Sequence, residues 1–168
     1  WYDARDLDVE GRGWSDVKEY YDRLPAKAEG VVRDAVWNLS RNSSGMCVHF
    51  AADTPSTAVR WTLKSATLGL PHMAATGVSG VDLYGQTDNG SWRWIAVGKP
   101  AALETKQTLV STLPAGLREY RVYLPLYNGV KSVQIGLPAS ARIARSSDVA
   151  LKKKPVVFYG TSIMHGAC

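Results

Sequence analysis

The architecture of this chain is predicted best by one stretch, Gly80-Val81-Asp82-Leu83-Tyr84-Gly85-Gln86-Thr87-Asp88-Asn89-Gly90-Ser91-Trp92-Arg93-Trp94. Its two ends contain the β-branched and aromatic residues that are enriched in strands. Between them lies Asp88-Asn89-Gly90, which is typical turn sequence, because Asp and Asn form local hydrogen bonds and Gly tolerates backbone conformations that other residues avoid. The stretch therefore predicts an antiparallel β-hairpin.

Similar short segments occur on both sides of this hairpin. In one of them, Ala58 to Leu63, apolar and polar side chains alternate as expected of a strand with one buried face. The predicted strands are Met46 to Phe50, Ala58 to Leu63, Gly80 to Tyr84, Trp92 to Val97, Thr108 to Thr112, Glu119 to Leu124 and Ser132 to Leu137. Short strands spaced by about ten residues, without a useful helical period, predict an all-β fold, an antiparallel jelly-roll-type β-sandwich.

The chain divides into four predicted segments. Residues 1–30 are polar with scattered aromatics and predict an irregular N-terminal arm that packs onto the body. The β-sandwich is predicted for residues 31–140, a linker for 141–154, and a new unit for 155–168. One long connection, Lys64 to Val78, interrupts the strand series, and connections of this length in compact domains are often functional.

Composition narrows the function classes. The chain has 168 residues, of which 21% are charged and 45% hydrophobic, as in an ordinary globular protein. The net charge of +5 is mild and the basic residues are scattered, so we expect no nucleic-acid partner. No apolar run approaches the ~20 residues needed to cross a bilayer, so we expect no membrane partner either. Cys47 and Cys168 form neither a disulfide framework nor a metal motif, and we expect no metal and no cofactor.

The first residue, Trp1, also bears on location. A chain without an initiating methionine is typical of a mature or trimmed protein, so a missing signal peptide does not argue for the cytoplasm. We expect a secreted or periplasmic location.

The unit that starts at Pro155 contains a candidate nucleophile. Val156 to Tyr159 is a short apolar run that predicts a buried strand, and Gly160-Thr161-Ser162 predicts a tight turn at its carboxyl end. In open parallel sheets reactive groups collect at the carboxyl ends of strands. Ser162 is therefore the candidate catalytic residue.

Two motifs together resemble a known family, the SGNH (GDSL-like) hydrolases. Gly80-Val-Asp-Leu-Tyr84 resembles the Gly-x-Asp-Leu-Tyr signature of the jelly-roll domain at the amino end of some of these enzymes. Tyr159-Gly-Thr-Ser-Ile-x-x-Gly166 is similar to the first block of the catalytic domain that follows it. Tyr123-Leu-Pro-Leu-Tyr-Asn-Gly129 and the stretch from Leu24 to Ser40 also resemble that family.

The resemblance implies a role for Ser162 as the nucleophile that attacks an ester carbonyl. In the family a later Asp-x-x-His segment supplies the base, and later blocks supply most of the oxyanion hole; neither segment is found in these 168 residues. A serine without a base is a poor nucleophile, and losing one oxyanion donor costs about 10²–10³ in rate. We therefore expect the first strand and serine of a truncated α/β domain, a catalytic SGNH domain as the missing partner, and no esterase activity in this chain alone.

Other residues have competing interpretations. His165 lies three residues after Ser162, where a helix would place both on one face, so it is either a base or a structural residue. His72, in the long connection, either approaches a substrate cleft or caps a strand end. Trp92 and Trp94 share a strand face and either stack on a sugar, with Trp61 and Tyr84, or serve packing. Asp82 is either buried with hydrogen-bond partners or a calcium ligand.

Two functions follow from these observations. The first is a non-catalytic module of an SGNH-type ester hydrolase, a carbohydrate esterase or deacetylase, that supports the catalytic domain and shapes its substrate cleft. The second is a free-standing carbohydrate-binding module. A binding measurement with variants of Trp92 and Trp94 separates them.

Overall fold

The computed structural model describes residues 1–147 and 156–166, and it contains two antiparallel sheets. The strands are β1 (Tyr2–Asp3), β2 (Asp8–Glu10), β3 (Cys47–Asp53), β4 (Thr57–Leu63), β5 (Val81–Gln86), β6 (Trp92–Gly98), β7 (Glu104–Val110), β8 (Arg118–Tyr123), β9 (Val130–Gly136) and β10 (Arg142–Ala144). The helices are α1 (Asp34–Ser40), α2 (Ala75–Ser79) and α3 (Ser162–His165), with 3-10 turns at Ala4–Asp6 and Ala26–Ala28.

The smaller sheet has four strands in the order β1-β9-β4-β7. The larger sheet has six strands, in the order β10-β3-β8-β5-β6, with β2 also paired to β3. The predicted hairpin is β5 and β6, in which Gln86 lies opposite Trp92 and Val81 opposite Gly98. The predicted all-β sandwich is confirmed, and each of the seven predicted strands overlaps an observed one.

The core lies between the two sheets, where alternate residues of each strand point inward. In β4 the burial alternates along the whole strand, with Val59, Trp61 and Leu63 fully buried. In β5 the buried positions are Val81, Leu83 and Gly85, so Asp82 and Tyr84 lie on the outer face. Trp61, considered above as part of a sugar platform, is wholly buried and donates its indole N–H to the Ser79 carbonyl at 3.0 Å.

The N-terminal arm is more ordered than predicted. Residues 1–30 include β1, which pairs with β9, and β2, which pairs with β3, so the arm contributes one strand to each sheet. Tyr21 is buried in the core, in agreement with an arm that packs onto the body. Strands of two or three residues are too short to show an alternating sequence pattern. They form because the strands of the body offer unpaired backbone groups at their edges.

Two further differences concern the C-terminal part of the chain. The segment predicted as a linker, 141–154, begins with strand β10, and its residues 148–154 lie outside the described residues. The predicted buried strand at Val156 to Tyr159 is wrong: these residues have no regular secondary structure, and their side chains are 75–83% exposed. A strand needs a neighbour for its backbone groups, and no strand in the described part of the chain pairs with this segment.

Candidate functional site

One end of the sandwich gathers the loops that form the candidate site. At this end β3 and β9 begin and β4 and β8 finish, as shown by the pairs Cys47↔Tyr123 and Leu63↔Val130. The long connection that follows β4 also returns here, because β5 starts opposite Tyr123. We call this region the docking end.

Asn128 organises the β8–β9 loop at the docking end. It is 2% exposed, and its side-chain amide donates to the Ser65 carbonyl at 2.9 Å and to Ser79 Oγ at 3.0 Å. Its side-chain oxygen accepts from the Ser65 amide at 3.1 Å. Gly129 follows, and a Cβ there would overlap the Arg41 carbonyl oxygen. The loop is therefore fixed to the long connection through Asn128 and packed against the end of α1 at Gly129.

A buried ion network supports the neighbouring segment 19–23. The Asp22 carboxylate is fully buried and contacts Lys64 Nζ at 2.5 Å and Arg41 Nη1 at 2.8 Å. Glu19 completes the network through the same two cations. Burial opposes ionisation of Glu19, but Lys64 and Arg41 outweigh it and lower the pKa of this carboxyl. Since each buried charge has a partner, the network fixes the backbone that presents Arg23.

His165 connects the segment that bears Ser162 to the docking end. Its imidazole is nearly buried and bridges two loops, because Arg23 Nη2 donates to Nδ1 at 3.1 Å and Nε2 donates to the Leu126 carbonyl oxygen at 2.5 Å. The imidazole also lies against the Tyr127 ring, with a centroid distance of 4.3 Å. This bonding pattern requires the neutral Nε2–H tautomer, since Nδ1 acts as an acceptor.

The backbone around His165 is fixed as well. Ser44 Oγ donates to the His165 carbonyl oxygen at 2.8 Å. Gly166 ends α3 in the left-handed region, at φ 92°, and a Cβ there would lie 3.0 Å from Leu126 Cδ1. We refer to residues 160–166 as the serine turn; within it Ser162 is exposed at the first position of α3.

The surroundings of His165 favour its structural interpretation. Burial, followed by the positive charge of Arg23, lowers the pKa of His165, and the Leu126 carbonyl opposes this shift only in part. Both ring nitrogens are engaged by the sandwich, so neither is free to take a proton from Ser162. A serine hydroxyl without a base is weakly nucleophilic. The site therefore holds the serine in place without activating it.

The other predicted site residues lie elsewhere. His72 is exposed in the turn between Leu70 and Met73, within the long connection. Trp92 and Trp94 lie on the outer face of β6, and Trp92 pairs with Gln86, at the opposite end of β5 from Asp82 and the docking end. Trp92 therefore lies away from the docking end, whereas Trp94 lies opposite Tyr84, and none of the described contacts joins it to the serine turn.

The outer face of the six-stranded sheet nevertheless has an unusual aromatic content. Trp94 is 55% exposed and donates its indole N–H to Asp82 at 2.9 Å, while Arg121 lies 3.8 Å above the ring of Trp92. Tyr84 and Tyr123 meet edge to face beside them, with ring centroids 5.5 Å apart. We call these residues the aromatic face. Beyond Trp92, a polar cleft of about 270 Å³ is lined in part by Gln86, Asp88, Arg118 and Glu119.

The structure agrees in part with the first interpretation of Asp82, a buried carboxylate with hydrogen-bond partners. Asp82 is half-buried on this outer face and accepts a hydrogen bond from the Trp94 indole. For the alternative, calcium binding, the described residues contain no group of three or more His, Cys, Asp or Glu side chains that could hold an ion.

Several residues of the docking end were missed by sequence reasoning. Arg23 and Ser44 have no local pattern that distinguishes them from surface residues, because their partners are more than 100 positions away in the chain. Leu126 and Tyr127, in contrast, lie in the Tyr123–Gly129 motif noted above. That motif was the one available signal for this part of the site.

The fold and the site define a class, a two-sheet β-sandwich domain that carries a serine-bearing segment on one end. The family described as GxDLY, the N-terminus of SGNH hydrolase-type esterases, matches residues 1–143. The chain belongs to this family, which confirms the resemblance inferred from its two motifs. A search of curated proteins found no match.

Solved structures agree with this assignment. A GDSL-like lipase from Bacteroides ovatus has a TM-score of 0.80 and 28% identity, with 86% of this chain and 42% of the lipase covered. A salicylyl-acyltransferase from a tetracycline biosynthetic pathway has a TM-score of 0.54 and 20% identity, with 85% and 40% covered, and supports the fold alone. The chain thus spans less than half the length of each.

Proposed function

We propose that this chain is the N-terminal supporting domain of an SGNH-type ester hydrolase and that it holds the segment bearing the nucleophile, Ser162. The observation that carries the proposal is the docking of His165, whose two ring nitrogens and backbone carbonyl are bonded to three separate loops of the sandwich. A terminal segment without a role in the fold would not be expected to form hydrogen bonds with three separate loops.

The exposed side of the same segment supports a partner domain. Val156, Val157, Phe158 and Tyr159 are 75–83% exposed, and Ile163 is 82% exposed. Contiguous apolar side chains of this kind mark surfaces that another protein layer covers. The occupant that fits is a catalytic domain of the SGNH type, whose apolar surface covers these side chains.

The proposed reaction is serine-dependent ester hydrolysis. Ser162 attacks the ester carbonyl, and the partner domain supplies the base that accepts the serine proton and the remaining donors to the oxyanion. The bond to the alcohol then breaks, the alcohol leaves with that proton, and water hydrolyses the acyl-serine to release the acid and restore Ser162. We extend the proposal to esters of carbohydrates, including acetyl esters, because the aromatic face offers surfaces suited to sugar rings on the same module.

Reconstitution tests this proposal. The 168-residue chain is assayed for hydrolysis of p-nitrophenyl acetate alone and after addition of a polypeptide that carries the remaining blocks of an SGNH catalytic domain. We expect no hydrolysis alone and hydrolysis after mixing. The matched control is Ser162→Ala, which removes one exposed hydroxyl and leaves the docking contacts of His165 intact. Hydrolysis by the chain alone that Ser162→Ala abolishes would contradict the proposal, as would mixing that restores nothing.

A second function, carbohydrate binding, is favoured by the aromatic face itself. The Trp94 ring is exposed and its N–H is fixed by Asp82, so the side chain is held in one orientation before any ligand arrives. A preorganised aromatic ring loses little conformational entropy on stacking against a sugar. The adjacent cleft is lined in part by Asp88, Arg118 and Glu119, whose carboxylate and guanidinium groups are of the kind that bind sugar hydroxyls.

Calorimetric titration with soluble oligosaccharides tests the second function. Trp94→Ala is expected to weaken saturable binding at least tenfold, whereas Trp14→Ala, at a tryptophan that is 45% exposed elsewhere, leaves it unchanged. Binding that is equally sensitive to both variants, or no binding to any oligosaccharide tested, refutes this function.

A further inference from the structure

We propose that His165 is a positioning residue for Ser162 and that a neutral His165 imidazole is required to dock the serine turn, so that acidification releases the turn from the sandwich. The positioning of a nucleophile rests on the proposed function. The docking and its dependence on protonation do not, because they follow from contacts within this chain.

The contacts of His165 fix one end of the helix that bears Ser162. α3 consists of four residues, with Ser162 at its start and His165 at its end. Backbone hydrogen bonds tie the two ends of this turn together, because the His165 amide donates to the Thr161 carbonyl and the Gly166 amide to the Ile163 carbonyl, each at 3.2 Å. Fixing His165 therefore sets the direction of Ser162. The fixed points are the two ring nitrogens of His165 and its carbonyl oxygen, which is held by Ser44. In the described part of the serine turn, Ser162 itself is exposed and open to a reacting group.

A proton on the His165 ring would oppose docking at Nδ1. Nδ1 of His165 accepts a hydrogen bond from a guanidinium group, which has only donors. Protonation of Nδ1 would place two N–H groups and two positive charges against each other at 3.1 Å, in a nearly buried position. The hydrogen bond would then become a repulsive contact, in a position where little solvent screens the two charges.

Three groups from two segments face the imidazole. The segment before Ala26–Ala28 presents Arg23, and the β8–β9 loop presents the Tyr127 ring and the Leu126 carbonyl. The loop before β3 contributes Ser44, whose hydroxyl bonds the backbone carbonyl of His165 and not its ring. Among these described contacts no carboxylate lies against the ring to compensate a proton. The negative groups of the neighbouring ion network, Asp22 and Glu19, are already bonded to Lys64 and Arg41.

The direction of the pH effect follows by linkage. Docking lowers the pKa of His165, with burial as the larger cause and Arg23 as the second. A base whose pKa falls on docking stabilises the docked state fully above its free pKa, about 6.5. As the pH falls from that value towards the docked pKa, the docking equilibrium constant decreases by up to about tenfold per pH unit. The turn is therefore docked at neutral pH and released in acid.

The test uses NMR on the 168-residue chain. Long-range proton–nitrogen spectra of the imidazoles assign the tautomer, and amide shifts of residues 160–166 follow docking between pH 8 and pH 5. We expect a neutral Nε2–H tautomer of His165 at pH 7, and a concerted shift of the serine turn together with Leu126 and Tyr127 as His165 takes up its proton. The strands of the core should not respond over this range.

Two variants complete the test. Arg23→Met removes the donor to Nδ1 together with the donors to the Leu39 and Asn42 carbonyls. It is expected to shift the resonances of the serine turn at pH 7 to their acid positions, with the fold retained. Arg33→Met, at an exposed arginine next to α1, is the matched control and is expected to leave the turn docked. Any of three results overturns the proposal. The first is a protonated or Nδ1–H imidazole at pH 7. The second is a serine turn whose chemical shifts do not change when His165 is protonated, and the third is an Arg23→Met spectrum equal to that of the control. None of these readouts depends on ester hydrolysis, so a failure of this proposal can be told apart from a failure of the proposed function.

Discussion

Replacement of Asn128 by alanine is expected to lower the free energy of unfolding by about 3 kcal/mol. The side chain makes three hydrogen bonds of 3.1 Å or less, to the Ser65 amide, the Ser65 carbonyl and Ser79 Oγ. Each contributes about 1 kcal/mol net, and the truncation leaves the hydroxyl of Ser79, which is 0% exposed, without this partner. The loss also loosens the β8–β9 loop that receives His165.

Urea denaturation of the 168-residue chain, followed by tryptophan fluorescence, measures this change. The matched control is Asn38→Ala at an exposed position of α1, where the same chemical change is expected to alter stability by less than about 0.5 kcal/mol. A loss below about 1 kcal/mol for Asn128→Ala, or an equal loss for both variants, would refute the view that Asn128 organises the docking end.

Three further predictions concern the same framework. Gly129→Ala should lower the free energy of unfolding by about 3 kcal/mol or more, because its Cβ would overlap the Arg41 carbonyl and lie 2.6 Å from Lys64 Cδ. Gly13→Ala, with open space around it, should leave the stability unchanged. Equal stability of the two variants in denaturation experiments would contradict this packing. Asp22→Asn should lower the free energy of unfolding by about 3–5 kcal/mol, since it leaves Lys64 and Arg41 without their buried counter-charge. Thermal unfolding measures this loss, with the exposed Asp34→Asn variant as the control. Cys47 is 2% exposed, and burial raises the pKa of its thiol. In a Cys168→Ser background it should therefore resist Ellman's reagent until the protein unfolds. Rapid labelling of the native chain would show that this core opens.

The strands were predictable because their side chains alternate and their turns have distinctive residues. β4, with Val59, Trp61 and Leu63 inward, shows the pattern that the sequence indicates. α1 was missed because its seven residues are too few to establish a helical period. The predicted strand at Val156 to Tyr159 was wrong for a different reason: its sequence favours a strand, but strand formation depends on a partner that composition cannot show.

The candidate site was predictable only in part. Ser162 could be found from its turn sequence and family motif, whereas the environment of His165 depends on Arg23, Ser44 and Leu126, which are distant in the chain. Sequence spacing left the role of His165 open between a base and a structural residue. Its two bonded nitrogens decide in favour of the structural role, and that conclusion requires three-dimensional contacts.

The central claim is that the sandwich holds the serine turn, and the most direct measurement is the nuclear Overhauser contact between the rings of His165 and Tyr127 at pH 7. The ring centroids lie 4.3 Å apart, so strong cross-peaks between the His165 and Tyr127 ring protons are expected. Absence of these cross-peaks, together with His165 shifts equal to those of an unstructured peptide, would contradict the claim.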